Sequence, residues 1–426
     1  MLISGLLRRA LTPVVKTGRL AFAFVGGDGF ELGDGSGPLV KVRFTDTGAP
    51  WALLLDPDLM TGELFTDSRL VVDQGSVYDF LELVLRHGDE APPSAYAGLL
   101  DRLRDGLRRL SGGNDPRRSR RNVQHHYDLD DRMYALFLDP EWQYSCAYFE
   151  YPGQSLADAQ VAKMRHIAAK LSLQGGEKVL DIGCGWGGMA CYLAEVADAA
   201  LVFGVTLSDE QIRGARERAA ARGLTDRVRF DLRDYRSVAG TFDRIVSVGM
   251  FEHVGLAHYQ TFFDTCCGYL ADDGVMLLHT IGTADAPSLT NPWITKHIFP
   301  GGHLPSLSQI LPAVERAGLM VTDVEVLRLH YADTLRAWRA AFLARRDEAA
   351  ALLGERFCRM WEYYLSMAET AFRCEGVVVF QIQLARRVDA LPITRDYMIA
   401  EERLMRAVSD AGSVGASRRR GAPTRR

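Results

Sequence analysis

The strongest local signal for chemistry is a glycine-rich segment, residues 179–188, which reads VLDIGCGWGG. Glycines at 183, 185 and 187 let a backbone turn sharply and approach a ligand closely. Two cofactors compete for such a loop. A dinucleotide needs the spacing G-x-G-x-x-G, whereas this loop reads G-x-G-x-G-G and carries Asp181 just before it. A carboxylate there repels a pyrophosphate and suits the cationic end of S-adenosylmethionine.

A second feature separates the two cofactors. Dinucleotide folds and many methyl-donor folds place an acid about 20 residues after the loop, where it holds the ribose hydroxyls. In this chain Val205 occupies that place, and the three residues that follow it, Thr206, Leu207 and Ser208, carry no carboxylate. We therefore expect Thr206, Ser208 or Gln211 to bond the ribose and the amino acid instead, and the absence argues against a nicotinamide cofactor.

Further candidates follow strand-like runs later in the chain. Glu252 and His279 each lie at the end of an apolar segment, and ligands of open α/β sheets bind beyond the carboxyl ends of strands. A second interpretation of Glu252 is that it caps the segment that follows and has no catalytic role. Cys146 alone is more often a buried small residue than a site. We expect no metal, because no HExxH or Cys/His cluster occurs.

These candidates need a sheet to position them, and from about residue 175 the chain alternates between strand and helix patterns. That alternation predicts an α/β fold with a doubly wound, mostly parallel sheet. Taken with the methyl-donor cofactor that the glycine loop favours, we expect a Rossmann-like methyltransferase sheet. The predicted strands cover 178–182, 201–205, 228–232, 244–248, 275–281 and 377–384. The predicted helices cover 188–196, 209–222 with Ser208 as its cap, 331–345 and 356–373.

The rest of the chain divides by composition. Gly-rich turns between short strand-like runs indicate a small N-terminal α+β domain, and a cluster of Gly, Pro and charge indicates a linker. The predicted boundaries are 1–110 for the N-terminal domain, 111–121 for the linker, 122–390 for the catalytic domain and 391–426 for a C-terminal helix with a basic tail.

Composition and charge narrow the class of protein. The 426 residues are 47% hydrophobic and 24% charged, with a net charge of -4, which is typical of a globular chain. Seven cysteines without a CxxC motif fit a reducing compartment. Arginines nevertheless cluster at 101–121 and 418–426, and residues 2–15 have the spacing of a basic amphipathic helix. Such segments suit an anionic lipid surface, or a solvated face and a helix docked on its own domain.

Seven motifs together resemble the cyclopropane-fatty-acyl-phospholipid synthase family, which includes the mycolic acid cyclopropane synthases. The resemblance extends from about residue 122 to residue 384, and the N-terminal extension resembles that of the longer, phospholipid-acting members. The motifs are HYD at 126–128, YSCAYF at 144–149, the glycine loop with its Trp186, TLS at 206–208, VGMFEHVG at 248–255, HTIG at 279–282 and IFPGG at 298–302.

The resemblance implies two sets of site residues. The first set would contact S-adenosylmethionine: Tyr127, Tyr144, Ser145, Val179, Leu180, Asp181, Ile182, Gly183, Cys184, Gly185, Trp186, Gly187, Thr206, Leu207, Ser208, Gln211, Tyr235 and Arg236. The second set would hold a bicarbonate ion: Cys146, Glu252, His279, the backbone at Ile281, and Tyr331. One departure is the late helix, where relatives often carry a Cys after paired tyrosines and this chain continues from Tyr363 and Tyr364 without one.

The implied reaction adds a one-carbon unit to the cis double bond of an unsaturated phospholipid acyl chain and closes a cyclopropane ring. An alkene that attacks a sulfonium methyl becomes carbocation-like, so water must be excluded and aromatic faces can stabilise the charge. A base must then remove a proton from the transferred methyl. Bicarbonate would serve as that base, with Glu252 orienting it and one member of this pair carrying a proton.

Three alternatives stay open. The same first transfer could yield a methyl or methylene branch, because the two products differ only in the proton that is lost. Less favoured are a nicotinamide-dependent oxidoreductase and a non-catalytic lipid-binding module. We expect unsaturated phospholipids of the bilayer surface as partners, no nucleic acid, a cytoplasmic protein at the inner face of the cell membrane, and leave a homodimer open.

Overall fold

The computed structural model describes residues 2–87 and 131–410. The chain separates into two compact units, each built from several segments. Of the described residues, the first unit comprises 2–87, 283–304 and 331–378, and the second comprises 131–282, 305–330 and 379–410. Two segments that the sequence division placed in the catalytic domain, 283–304 and 331–378, thus cluster with the N-terminal residues.

The first unit contains a four-stranded sheet in the order β2-β1-β3-β4. Strand β1 pairs antiparallel with β2 and parallel with β3, and β3 pairs antiparallel with β4. Alternate side chains of β3 are buried, which gives the sheet one apolar face. The strands are β1 (Arg19–Ala23), β2 (Gly29–Leu32), β3 (Leu39–Phe44) and β4 (Leu70–Gln74).

Helices complete the first unit. Its helices are α1 (Leu2–Leu11), α2 (Ala49–Leu55), α3 (Pro57–Thr66), α4 (Val77–Leu85), α10 (Pro292–His297), α12 (His330–Ala344, of which only His330 falls in the second unit), α13 (Arg346–Leu353) and α14 (Glu355–Cys374). Helix α14 packs against α3 and α4, and α10 packs against α3. Gly62 permits the last contact, because a Cβ there would lie 2.5 Å from Trp293 Nε1.

The second unit is built on a seven-stranded sheet in the order β10-β11-β9-β8-β5-β6-β7. Strands β7, β6, β5, β8 and β9 run parallel, and β10 pairs antiparallel with β11. The strands are β5 (Lys178–Ile182), β6 (Leu201–Thr206), β7 (Val228–Leu232), β8 (Phe242–Val248), β9 (Leu270–Thr283), β10 (Met320–Leu327) and β11 (Val377–Ala385). The strand order reverses between β5 and β8, which is the place where open α/β sheets bind their ligands.

Helices flank this sheet and bury an apolar core with it. The core joins α6, α7 and α8 to the parallel strands through residues such as Ile167, Leu193 and Val202. The helices are α5 (Asp131–Tyr134), α6 (Leu156–Leu171), α7 (Gly188–Glu195), α8 (Asp209–Ala221), α9 (Tyr259–Tyr269), α11 (Leu307–Arg316) and α15 (Asp396–Asp410).

The sheet confirms the predicted α/β, mostly parallel fold, and each predicted strand and helix has a counterpart within a few residues. Ser208 caps α8 as predicted, accepting from the amide of Gln211 at 3.3 Å. Among residues 131–410 the prediction missed α5, α6, α9, α10, α11, α13 and β10. In the described ranges no helix has the length and apolar character that a membrane crossing requires, and no cluster of His, Cys, Asp and Glu could hold a metal.

Candidate functional site

The glycine loop follows β5 and leads into α7, and its three spaced glycines meet two different requirements. All three have positive φ, at 83° for Gly183, 53° for Gly185 and 80° for Gly187. A Cβ on Gly183 would lie 2.7 Å from Met250 Cβ, and one on Gly187 would lie 2.7 Å from Phe230 Cζ. A Cβ on Gly185 would meet nothing within 4 Å in the described residues. Gly183 and Gly187 therefore serve close packing, while Gly185 leaves its backbone accessible.

A cleft of about 1120 Å³, open mouth included, lies beyond the carboxyl ends of the parallel strands. Thirteen of the predicted cofactor residues line it: Tyr144, Ser145, Asp181, Ile182, Gly183, Cys184, Gly185, Trp186, Thr206, Leu207, Gln211, Tyr235 and Arg236. The structure thus brings most of the predicted set together at the point where the strand order reverses.

The remaining predicted cofactor residues lie elsewhere. Val179 and Leu180 are fully buried inside β5, Gly187 is the N-cap of α7 and Ser208 is the buried cap of α8. These four shape the elements that carry the cleft rather than its surface. Tyr127 lies outside the described residues, so its predicted contact is not tested.

Asp181 is a buried carboxylate that lines the cleft. Its residue is 1% exposed, and its Oδ2 has no hydrogen-bond partner within residues 2–87 and 131–410. Burial raises the pKa of Asp181 to about 7, while the nearby Lys163 ammonium opposes the rise. An unpartnered buried carboxylate is costly unless a ligand supplies a donor or a cation. Asp181 therefore fits a cationic group bound in the cleft.

The wall of the cleft at residues 142–146 is held by buried polar side chains of α6. Lys163 Nζ donates to Gln143 Oε1 at 2.5 Å and to Ser145 Oγ at 2.8 Å, and Gln160 Nε2 donates to the Ser145 carbonyl at 2.9 Å. Burial lowers the pKa of Lys163 to about 8. This wall is rigid because a fully buried lysine must keep its acceptors. Sequence reasoning missed Lys163 together with the helix that carries it, since a lysine is rarely buried.

Sequence reasoning also missed part of the rim. Asp234, two residues after the end of β7, lines the cleft and accepts from Arg236 Nη2 at 2.7 Å and from the Arg236 amide at 2.9 Å. The position of an acid just past a parallel strand was the available signal. The other unpredicted lining residues are Trp142, Gln143, Met189, Val205, Arg233, Val248, Gly249, Met250, His253, Val254 and His258.

The residues expected to replace the missing ribose acid are close to each other. Thr206 ends β6, and its Oγ1 donates to Gln211 Oε1 at 2.7 Å. Both residues line the cleft. Because Gln211 Oε1 faces Thr206, the NH₂ group of Gln211 points away from Thr206 and is the donor on this side of the cleft. Gln211 Oε1 keeps a second lone pair and is the acceptor.

Three of the predicted bicarbonate ligands converge on the end of β9. Glu252 lies in a 3-10 helix (Phe251–His253) that follows β8, and its Oε1 accepts from the Ile281 amide at 2.6 Å. Its Oε2 has no hydrogen-bond partner in the described part of the chain, and burial raises the pKa of Glu252 to about 7. His279 and Ile281 lie two residues apart on β9 and so share a face of the strand. The Ile281 amide that was predicted to hold bicarbonate thus donates to Glu252 in this structure.

His279 is buried, and its pKa lies well below the ordinary value because of burial and of the nearby Lys163 and Lys170 cations. It is therefore a neutral imidazole at physiological pH. His253, which lines the cleft, is also kept neutral because burial lowers its pKa to about 4.

The other two predicted ligands have different surroundings. Cys146 is fully buried in the wall segment, and its Sγ lies 3.2 Å from the Ala147 carbonyl oxygen. Tyr331 belongs to the first unit, where its ring contacts Trp338 and Phe372 with centroids 5.8 Å and 4.8 Å away. Within the second unit, Glu252 reaches the end of β9, where His279 and Ile281 lie.

Comparison with known proteins supports the interpretation of this cleft. The profile of the family described as mycolic acid cyclopropane synthetase matches residues 114–382. The cyclopropane-fatty-acyl-phospholipid synthase of Escherichia coli is 40% identical over 337 residues, which are 79% of this chain and 85% of that protein. The tuberculostearic acid methyltransferase of Mycobacterium tuberculosis is 41% identical over 281 residues, 63% of this chain and 65% of that protein.

The solved structures agree with the relatives. A crystal structure of a mycolic acid cyclopropane synthase complexed with SAH and CTAB is 37% identical, with a TM-score of 0.59, and the match covers 62% of this chain and 98% of that one. A family match over more than half of the chain, together with a relative 40% identical along most of its length, establishes the membership. The chain belongs to the mycolic acid cyclopropane synthetase family of S-adenosylmethionine-dependent methyltransferases.

Proposed function

We propose that this enzyme transfers a methylene unit from S-adenosylmethionine to the cis double bond of an unsaturated phospholipid acyl chain, and so forms a cyclopropane ring. The observation that carries the proposal is the pairing of two features at the same sheet edge. One is the buried carboxylate of Asp181 in the cleft, and the other is the pair Glu252 and His279 at the end of the strands β8 and β9.

The cleft suits the cofactor through its charge and its backbone. Asp181 supplies the unpartnered carboxylate for a cationic group, and Gly185 leaves its backbone open for close approach. Thr206 and Gln211 supply donors and acceptors for the ribose and the amino acid. When bound, S-adenosylmethionine supplies an electrophilic methyl group on a sulfonium. The residues of this chain have only to hold and orient it.

The proton-removing site would use neutral groups. His279 is a neutral imidazole and can donate or accept without adding charge, and Glu252 has a pKa of about 7, so much of it is protonated at neutral pH. A protonated Glu252 donates a hydrogen bond to an anion rather than repelling it. Bicarbonate held by Cys146, Glu252, His279, Ile281 and Tyr331 would supply the general base, and this assignment is part of the proposal.

A branched product is the second candidate, and a specific observation favours it. The tuberculostearic acid methyltransferase is as similar to this chain as the Escherichia coli synthase is, although over a shorter stretch. Both products begin with the same methyl transfer, so the cofactor cleft does not separate them. We favour the ring because the similarity to the Escherichia coli protein extends over 79% of the chain.

A phospholipid substrate requires contact with a bilayer, and α1 with α2 offers the surface for it. Leu2 and Leu6 of α1 are 74% and 40% exposed, and Trp51 and Leu55 share an exposed face of α2, which contacts α1. Arg8 and Arg9 follow on α1 and are exposed. Apolar side chains beside cations suit an anionic lipid interface. We therefore place the enzyme at the inner face of the cell membrane, and the arginine clusters at 101–121 and 418–426 lie outside the described residues.

Turnover by two variants tests the assignment of the proton-removing site. Glu252→Gln and His279→Ala should each slow turnover roughly a hundredfold, because each removes a group that positions the base. Binding to phospholipid vesicles should be unchanged. The exposed Glu217→Gln is the control and should keep full activity. Near-normal turnover in both test variants would refute the roles assigned to Glu252 and His279.

The nature of the product is tested separately by NMR of the acyl chains. Ring closure gives methylene protons at unusually high field, whereas a methyl or methylene branch gives none. A product with branch signals alone would replace the ring with the second candidate and leave the methyl transfer intact.

A further inference from the structure

We propose that Gln381, itself oriented by Lys170, is a positioning residue that fixes the tautomer of His279, with Nδ1 as an acceptor and the proton on Nε2. This inference rests on the proposed function for the role of His279. Gln381 and Lys170 neither line the cofactor cleft nor belong to the predicted bicarbonate ligands, and the inference gives both of them a role.

The geometry starts from two strands of the large sheet. Gln381 lies on β11 and is fully buried, and its Nε2 is 3.2 Å from Nδ1 of His279 on β9. On the other side, Lys170 Nζ donates to Gln381 Oε1 at 2.8 Å. The glutamine amide is thus held between a cation and an imidazole.

Lys170 decides which way this amide points. A lysine ammonium has three donors and no acceptor, so it must face the carbonyl oxygen of the amide. Rotating the amide by half a turn would set its NH₂ group against the ammonium. The NH₂ group therefore faces His279 and donates, and Nδ1 of His279 must accept. In a neutral imidazole the other nitrogen, Nε2, then carries the proton.

The side chain of Lys170 is itself held in one position by burial and by an ion pair. It is 2% exposed, and its ammonium is paired with Glu325 in a short contact. Glu325 also receives His166 Nε2 at 2.6 Å, and His166 Nδ1 lies 2.5 Å from Glu402 of α15. This chain of charged partners holds the ammonium in place, so the direction of the amide is set from outside the catalytic site.

The consequence for chemistry is a neutral hydrogen-bond donor. Burial together with the cations of Lys163, Lys170 and His166 keeps the pKa of His279 low, with Glu325 as the opposing charge. With Nδ1 occupied, Nε2–H is the group that His279 can offer to an anion. The opposite tautomer would present a lone pair and repel the same anion.

The experiment is ¹⁵N NMR of the full-length protein labelled at histidine, because the chemical shifts of the two ring nitrogens report the tautomer directly. We expect His279 to show an unprotonated Nδ1 and a protonated Nε2 throughout the pH range of activity. A protonated Nδ1 in the wild type would overturn the inference without any variant.

Gln381→Glu is the variant that reverses the arrangement. A carboxylate accepts from Nδ1–H, so Nδ1 becomes protonated and Nε2 loses its proton unless the ring is doubly protonated. We expect kcat to fall roughly a hundredfold, the loss found when one positioned donor is removed, with KM for S-adenosylmethionine unchanged. Lys170→Met, which frees the amide to rotate, should give a mixture of tautomers and an intermediate kcat.

Gln383→Met is the matched control. Gln383 lies two residues away on β11 and is equally buried, but it donates to the Lys170 carbonyl oxygen and to Tyr397 rather than to His279. It should leave the His279 tautomer unchanged. If Gln381→Glu keeps both the wild-type tautomer and kcat, the inference is wrong. If the tautomer is as stated but no acyl chain is methylated, the proposed function fails while the positioning inference stands.

Discussion

Replacement of Asp181 by asparagine should have opposite effects on cofactor binding and on stability. The carboxylate is buried, and its Oδ2 has no partner among the described residues. In the protein without ligand the ionised carboxylate therefore lowers the stability of the fold. In the complex the same carboxylate pairs with the cationic group of the cofactor. An asparagine of the same shape removes the charge and leaves the fold of the loop unchanged.

The stability gain follows from the pKa. The pKa of Asp181 is raised in the folded protein from 3.8 to about 7, so ionisation opposes folding as pH rises through that window and the full cost is present above about pH 7. Each pH unit of the window adds about 1.4 kcal/mol, so the ionised group costs at most about 4 kcal/mol. Asp181→Asn should unfold at higher denaturant than the wild type at pH 8, and the difference should shrink toward pH 4.

The binding loss follows from the lost charge. A hydrogen bond to a charged group contributes about 1.5–3 kcal/mol, so S-adenosylmethionine should bind roughly 10- to 150-fold more weakly to Asp181→Asn. The difference in affinity between the two proteins should grow as pH rises through about 7, because only the ionised carboxylate attracts the cation.

Titration calorimetry at pH 6, 7 and 8 measures the binding effect, and urea unfolding at pH 4, 6 and 8 measures the stability effect. Asp272→Asn is the control, because that carboxylate lies on β9 and is 87% exposed. It should change neither quantity. Equal cofactor affinity in Asp181→Asn and the wild type, with equal stability, would refute the assignment of Asp181 to a bound cation.

Three further predictions concern the cleft and the lipid surface. Gly183→Ala should abolish cofactor binding and lower the free energy of unfolding by about 1–3 kcal/mol, because its Cβ would meet Met250 and its φ is positive. Gly185→Ala, whose Cβ meets no described atom, should lower the free energy of unfolding by about 1 kcal/mol. Calorimetry and urea unfolding compare the two variants. Lys163→Met should weaken cofactor binding roughly tenfold by freeing Gln143 and Ser145, and an unchanged Kd would count against a rigid wall. Deletion of residues 1–19 should reduce co-sedimentation with anionic vesicles, as should high salt; equal sedimentation of both chains would make α1 purely structural.

The fold was largely predictable because the parallel strands carry continuous apolar runs with glycine turns between them. Strand β5 matches the predicted 178–182 and β7 the predicted 228–232. The helix α6 was missed because its inward face carries Gln160, Lys163, His166 and Lys170, so its pattern does not look amphipathic although nearly all of it is buried. Periodicity reports apolar faces, and this helix buries a polar one.

The cofactor residues that follow strands were predictable, since a doubly wound sheet brings strand ends together. The supporting residues were not. Asp181 and Lys163 are coupled by charge across elements, and Gln381 meets His279 across two strands far apart in sequence. Such pairs depend on the register between elements, which no local pattern contains. The structure also groups segments 283–304 and 331–378 with the N-terminal unit, although long stretches of the other unit precede each of them in the chain.

The most direct measurement of the central claim is the fate of a labelled methyl group. Purified enzyme is incubated with methyl-labelled S-adenosylmethionine and vesicles of either cis-unsaturated or fully saturated phospholipid, and the acyl chains are released and analysed by mass. We predict that label enters only the unsaturated chains, each of which gains one carbon at the site of its double bond. Label in the headgroup, in protein, or equally in saturated chains would contradict the account.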